Sequence, residues 1–357
     1  RRRHTRWSGD WSSDVCSSDL GGSVNFISTP IPEIFKSSIL LIGGTNNYRN
    51  FHGYSGGTFK NLGILIEGFN YSSSGFKNLE SKKPTGFNKQ DFNIKINFKS
   101  KKTSKIFHET LISLGATNEN SNETYLGITD EDFKRTPYKR YEASQNDNMA
   151  ADQERYSLKN YIEFDNGINI SSSFYLNKFY RNWYKLQSIF HENKEIGISS
   201  IFKEDNDKII NIIKGNTNSL EDALIIRANN RSYASRGIQI VLNKTFYKNN
   251  LSHDVSISSR LHYDEMDRFQ WEDKYKIENK IMKLTSKGIE GTNSNLINRS
   301  NAIANYVNYK MEGERHSLNI GIRNENIIGQ KKDYGKYDID RVGLGLMTTK
   351  NRVTVID

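Results

Sequence analysis

Cysteine is nearly absent from this chain. One residue, Cys16, stands among 357, and it falls in a segment set aside below. No disulfide framework or thiolate metal site is therefore expected. Proline is scarce, at four residues, and no run of about 18 apolar residues occurs, so no membrane-spanning helix is expected. That absence leaves open a membrane barrel, which crosses with alternating segments of about ten residues. Histidines at 52, 108, 191, 253, 262 and 316 are scattered, with no pair at zinc spacing. His253 and His262 differ by an odd number and would face opposite sides of one strand. The Gly43-Gly44 and Gly56-Gly57 pairs lack the lysine and the helix of a phosphate loop. Asp205-Asn206-Asp207 lacks the glycine and distal glutamate of a calcium loop. No convergent constellation points to catalysis, to a resident metal or to a cofactor.

The first twenty residues do not read as protein. Asp10–Leu20, DWSSDVCSSDL, is the translation of a common short-read sequencing adapter, and Arg1–Trp7 continue it upstream. Residues 1–20 are accordingly set aside as an artefact. Removing their four arginines and three aspartates lowers the net charge from +10 to +9. A basic balance suits nucleic acid or an anionic ligand or surface. No recognition helix or zinc finger supports nucleic acid, and the basic residues are scattered singly through strand-like segments.

Much of the remaining chain alternates. Phe92, Ile94, Ile96 and Phe98 take turns with Asn93, Lys95, Asn97 and Lys99. The same period-two pattern covers 156–164, 168–176, 255–261, 307–311 and 318–322. Less regular strands fit 37–43, 51–58, 62–71, 106–114 and 237–246. Eleven strands are expected. Short turns at Lys60-Asn61, Lys101–Ser104, Asp165–Gly167, Lys248–Asn250 and Glu312–Glu314 join alternate pairs. Long connections span Thr129–Asp152, Ile189–Asn230 and Asp264–Arg299. Short turns at one end and long loops at the other suit a transmembrane antiparallel β-barrel. A soluble sandwich with one wet face remains the alternative. Aromatics at 71, 98, 179, 180, 183, 184, 269 and 271 are expected at strand ends, as interface girdles. Ile209, Ile210 and Ile213 at helical spacing before Gly215 predict a helix that packs within a loop.

Two stretches carry a family resemblance. Thr124–Tyr141, TYLGITDEDFKRTPYKRY, with the tail Ala143–Met149, ASQNDNM, is an aromatic- and charge-rich loop. It resembles the third extracellular loop of TonB-dependent outer-membrane receptors of the ferric citrate type. Gly21–Pro32, GGSVNFISTPIP, resembles the last strand of their plug domain and the linker into the barrel. The resemblance implies an all-β fold, namely about the first half of a 22-stranded barrel preceded by the end of the plug. It implies plug at 21–33 and partial barrel at 34–357, with the TonB box and most of the plug absent. It implies residence in the outer membrane of a Gram-negative bacterium, in contact with its lipid. The implied activity is TonB-energised import of a ferric citrate-like chelate, carried as cargo.

An anionic chelate suits guanidinium and ammonium groups. Lys134, Arg135, Lys139 and Arg140 are the candidate ligand residues, with Tyr138 and Tyr141 as aromatic walls. Each could instead stabilise the loop by pairing with Asp130, Glu131 or Asp132. A same-fold receptor for another siderophore, a cobalamin or a glycan is the alternative function, as is a non-transporting β protein such as an adhesin.

Overall fold

Alternating side chains fit a pleated backbone that buries one face, and strands dominate the computed structural model. It describes residues 28–101, 104–202 and 206–356. The expected adapter segment, most of the expected plug strand, Asp205 and Asp357 lie outside those residues. The strands are β1 (Lys36–Gly43), β2 (Arg49–Phe59), β3 (Leu62–Ser73), β4 (Phe87–Lys99), β5 (Ile106–Ser121), β6 (Asn148–Phe164) and β7 (Ile168–His191). Then follow β8 (Lys194–Gly197), β9 (Leu224–Lys248), β10 (Leu251–Glu278), β11 (Ile281–Ser286), β12 (Ser294–Glu312), β13 (Ser317–Asp333) and β14 (Met347–Ile356). All pair antiparallel in one sheet, each beside its sequence neighbour, except that β8 and β11 fold back as short hairpins on β7 and β10. The eleven expected strands are all present; β8, β11 and β14 are additional.

Local chemistry sets the tight turns. Asn249 and Asn250 both take positive φ, 52° and 60°, the geometry of a two-residue turn that matches strand twist. Glu192-Asn193 and Asn279-Lys280 close the β7–β8 and β10–β11 hairpins in the same way.

The register exposes a continuous apolar row. Ile64, Ile96, Ile112, Leu158, Phe174, Ile238, Leu261 and Ile303 lie directly opposite one another across eight adjacent strands. Phe174, Ile238, Leu261 and Ile303 are each 42–49% exposed. A row of this kind is a lipid-facing surface. It also climbs: Ile64 is the third residue of β3, whereas Leu261 is the eleventh of β10. Such stagger is what a closing barrel needs.

The opposite face is polar and lumenal. Residues 28–32 lie against it: Lys95 donates to Ser28 Oγ (2.7 Å) and the Thr29 carbonyl (2.5 Å), and Thr29 donates to Glu67 (2.6 Å). Thr58 donates to the Pro32 carbonyl at 3.0 Å.

One expectation needs correction. Strands were expected to stop near residues 176 and 261, yet β7 runs 24 residues and β10 runs 28. Spanning takes only about 9–11 residues. Phe179, Tyr180, Trp183, Tyr184, Phe269 and Trp271 therefore sit inside strands instead of at their ends. The extensions continue because they have a second core to cover. Three short α-helices occur in the loops, α1 (Asp130–Arg135), α2 (Ile198–Ile201) and α3 (Asp207–Lys214), and Leu186, Ile189, Leu224, Ile226 and Ile277 pack there with Ile209, Ile212 and Ile213 of α3. The helix expected for loop packing is thus found, and Gly215 ends it at φ 80°, the left-handed cap glycine accepts readily. The result is a loop dome standing on β7, β9 and β10.

Candidate functional site

The charge-rich loop is the hub of that dome. Thr129 caps a one-turn helix over Asp130–Arg135 by accepting from the Asp132 N–H, at 3.3 Å. Asp132 is buried. It accepts from Arg135 (2.6 Å), Lys214 of α3 (2.7 Å) and the Tyr141 hydroxyl (2.6 Å). Burial works against its charge, but Lys214, Tyr141 and Arg135 outweigh it and hold the carboxyl well below the usual range.

Two further buried acids tie the hub to other loops. Glu142, fully buried, accepts from the backbone N–H groups of Glu80 and Ser81 in the β3–β4 loop. Asp147 accepts from Leu186 N on β7 and Tyr125 N, both at 2.9 Å. Burial pushes Asp147 up to about 7, against the backbone bonds and Lys185, which pull it down.

The six expected ligand residues divide. Arg135 is spent on Asp132, although its side chain is 70% exposed. Lys139 pairs with Glu80, and Arg140 donates to the carbonyls of Pro137 and Lys139. Tyr141 is buried at 3% exposure within the dome core. Lys134 is exposed, with no charged partner among the described residues. Tyr138 is exposed and rests edge-on against Phe76. Lys134 and Tyr138 are thus the members of the set with side chains left open to solvent and uncommitted to an ion pair or a buried core.

A different basic cluster lies on the lumenal wall beneath the dome. Arg181 of β7 faces Arg231 of β9, and Arg231 faces Arg268 of β10. Their side chains share the face of Lys89, Asp91 and Lys95, by the register across β4 to β10. All three are half-buried, and no carboxylate pairs with any of them among the described residues. The flanking acids on the same face of β10 are committed: Asp264 to His262 and Glu272 to Arg227, each at 2.6 Å. Burial, then Arg231 and Arg181, lower the Arg268 pKa. Like charges opposite one another on a sheet destabilise it.

The surroundings are aromatic and rich in donors. Phe179 stacks on Tyr233 at 5.9 Å, and Tyr233 lies beside Arg231. Lys185 sits 3.3 Å from the Tyr125 ring centroid and 4.0 Å from that of Trp183. The buried Nε atoms of Arg231 and Arg268 and Trp183 Nε1 have no hydrogen-bond partner among the described residues. Orphaned donors around concentrated positive charge have the chemistry to hold an oxygen-rich anion. Sequence reading missed it because residues 181, 231 and 268 come together only through register. The signal available was an arginine among aromatics and asparagines in YRNW, NNRSY and MDRF.

A staggered antiparallel sheet with short turns at one end, a dome at the other and a basic lumenal wall has the fold of TonB-dependent outer-membrane receptors. The chain is similar to the unliganded ferric citrate transporter FecA, with TM-score 0.67 and 14% identity over 94% of this chain and 43% of that one. It is similar to the siderophore receptor PiuA of Acinetobacter baumannii (TM-score 0.62, 10% identity, 92% of this chain and 47% of that one). It also resembles the open form of the ferric-catecholate import receptor Fiu of E. coli (TM-score 0.63, 10% identity, 92% and 52%). All three are transport proteins, and none is an enzyme. At these identities the likeness is one of fold, and this chain spans about half of their length. No family model and no curated protein matches the sequence.

Proposed function

We propose that this chain is part of a TonB-dependent receptor of a Gram-negative outer membrane that binds a ferric chelate of the ferric citrate type. Residues 21–33 end its plug, residues 34–357 form barrel, and a segment before the plug meets the TonB complex. The unpaired row Arg181–Arg231–Arg268 carries the reading. A polycarboxylate chelate relieves the repulsion among the three guanidinium groups and satisfies the Nε–H donors of Arg231 and Arg268. Lys134 and Tyr138 offer a second contact from the dome. A catecholate or other anionic siderophore would use the same charge; an uncharged cobalamin or a neutral glycan would not.

The test is titration of the complete receptor with ferric citrate, following tryptophan fluorescence, since Trp183 borders the row. Arg231→Gln is expected to weaken binding at least tenfold, as loss of a charge-assisted bond worth about 1.5–3 kcal/mol requires. Binding should also weaken as salt rises. Unchanged affinity in Arg231→Gln, or preference for cobalamin over ferric citrate, overturns the proposal.

A further inference from the structure

Residues 28–32 form a strap that the lumenal wall holds by side chains instead of by a strand ladder. Pro30 and Pro32 are two of the chain's four prolines, and neither has an N–H to give a neighbouring strand. The wall supplies the bonds. Lys95 of β4 donates to Ser28 Oγ and to the Thr29 carbonyl, and those are the hydrogen bonds its ammonium makes among the described residues. Glu67 of β3 accepts from the Thr29 hydroxyl at 2.6 Å, and His52 of β2 lies 2.9 Å from the same carboxylate oxygen. Ile31 Cγ2 stands 3.1 Å from where a Cβ on Gly63 would be, so that glycine gives the strap room to seat. Thr58 holds the Pro32 carbonyl.

Burial beneath the strap agrees with these contacts. Leu65 and Lys95 are register partners on the lumenal face. Leu65 is 0% exposed and Lys95 is 7% exposed. A leucine and an ammonium on a water-facing wall need a cover. Leu65 lies between Gly63 and Glu67 on one face of β3, and the strap touches both.

The contacts are unevenly placed. Thr58 and Gly63 pair beside the Lys60-Asn61 turn, so the Pro32 end of the strap lies at the short-turn end of the sheet. The two charged partners, Lys95 and Glu67, meet the other end, at Ser28 and Thr29. Charge-assisted bonds are the stronger kind, and here they are gathered where a load coming down the chain is first felt. Below the strap the chain enters β1 at Lys36, which pairs with Gly56 of β2. A strand pulled from one end gives up its ladder bonds one at a time, so β1 is where such a load would open the wall. We infer that Lys95 and Glu67 are positioning residues for transport: they anchor the strap at residues 28–29, so that a pull on the preceding plug stops there and β1 stays in the wall. The inference rests on the proposed function, which puts a TonB-driven plug ahead of the strap. It concerns load and not cargo, so its test reads the barrier, and failure of the anchor is distinguishable from failure of chelate binding.

The experiment uses the complete receptor in cells with and without a working TonB complex. Lys95→Met/Glu67→Gln removes the charged anchors and should bind ferric citrate as wild type does. In cells with TonB it should admit at least tenfold more vancomycin, which an intact outer membrane excludes; without TonB it should match wild type. Ile31→Cys/Gly63→Cys fastens the strap to β3 by a disulfide and leaves the polar contacts in place. That variant should transport equally well oxidised and reduced. Added to the anchor-free variant, the oxidised pair should restore the barrier. No leak, a leak equal with and without TonB, or a leak that the oxidised pair does not close overturns the proposal. Transport that stops on oxidation and returns on reduction overturns it too, because the strap would then have to move.

Discussion

Replacing Asp132 with Asn tests whether the charge-rich loop is held by one buried carboxylate. The change removes a charge that Lys214 meets at 2.7 Å and Arg135 at 2.6 Å, and it disturbs the acceptor of the Tyr141 hydroxyl. The Arg135 pair is exposed and contributes about 0.5 kcal/mol. The Lys214 pair is enclosed, and removing one partner of such a pair costs about 3–5 kcal/mol. The loss should stay local, in the loop and α3. A loss of about 3 kcal/mol corresponds to roughly a hundredfold faster amide exchange wherever the dome opens as a unit. Hydrogen exchange of peptides covering 122–147 and 207–223 measures it, with β4 and β5 peptides as controls. The pH dependence has a fixed sign. Asp132 is depressed in the folded state from a reference of 3.8, so its stabilisation is present above that reference. It is lost as pH falls through the lower folded value, and the mutant deficit should be constant from pH 5 to pH 8. Protection within about threefold of wild type would refute the assignment of Asp132 as the hub.

Asp147 should show the opposite dependence. Its folded pKa is raised to about 7 from 3.8, so its contribution is fully present below the lower value and lost as pH rises through the upper one. Dome exchange, corrected for the intrinsic rate, should therefore be more protected at pH 5.5 than at pH 8, and Asp147→Asn should flatten that difference; protection that grows with pH removes the idea. Gly237→Ala should destabilise the barrel wall by about 1–3 kcal/mol through overpacking. A Cβ there would stand 2.4 Å from Tyr175 Oη and 2.7 Å from the Leu261 carbonyl oxygen, and loss of heat resistance on a denaturing gel reads the effect. Glu80→Gln breaks the pairs with Lys139 and Lys280, both exposed, so global stability should change by less than about 1 kcal/mol. Exchange in residues 74–86 should nonetheless rise several-fold, and no rise there would show that the pairs do not tether that loop.

The barrel wall was legible because period-two alternation survives wherever one face meets lipid and the other the lumen. Phe92–Phe98 and Leu318–Ile322 display it plainly. The dome was not legible as strand. Above residue 176 the faces of β7 meet a packed core and a polar mouth, and LQSIF carries its apolar residues without period two. The helix at 207–214 was readable because isoleucines at 209, 210 and 213 have no use in a strand. The hub sequence was found, but its chemistry inverted with burial. Asp132, one of the acids weighed as loop partners, proved to be central, and Tyr141, weighed as a ligand wall, lies inside. The arginine row could not be found in one dimension, since its members stand 50 and 37 positions apart and meet through pairings that must first be known.

Hub and arginine row are mechanically linked. Leu186, whose N–H bonds Asp147, lies on the same strand as Arg181, and its side chain is in the dome core. Arg231 and Arg268 stand on β9 and β10, whose ends at Ile226 and Ile277 pack into that core too. Three like charges stay in register only if the strands beneath them are held, because repulsion alone would splay them. The dome supplies that restraint, so under the proposed function the acids of the hub would support the anion site without touching the anion. An anion that neutralised the row would remove that repulsion, so under the proposed function ferric citrate should slow amide exchange in the dome, and unchanged exchange on its addition would refute the link.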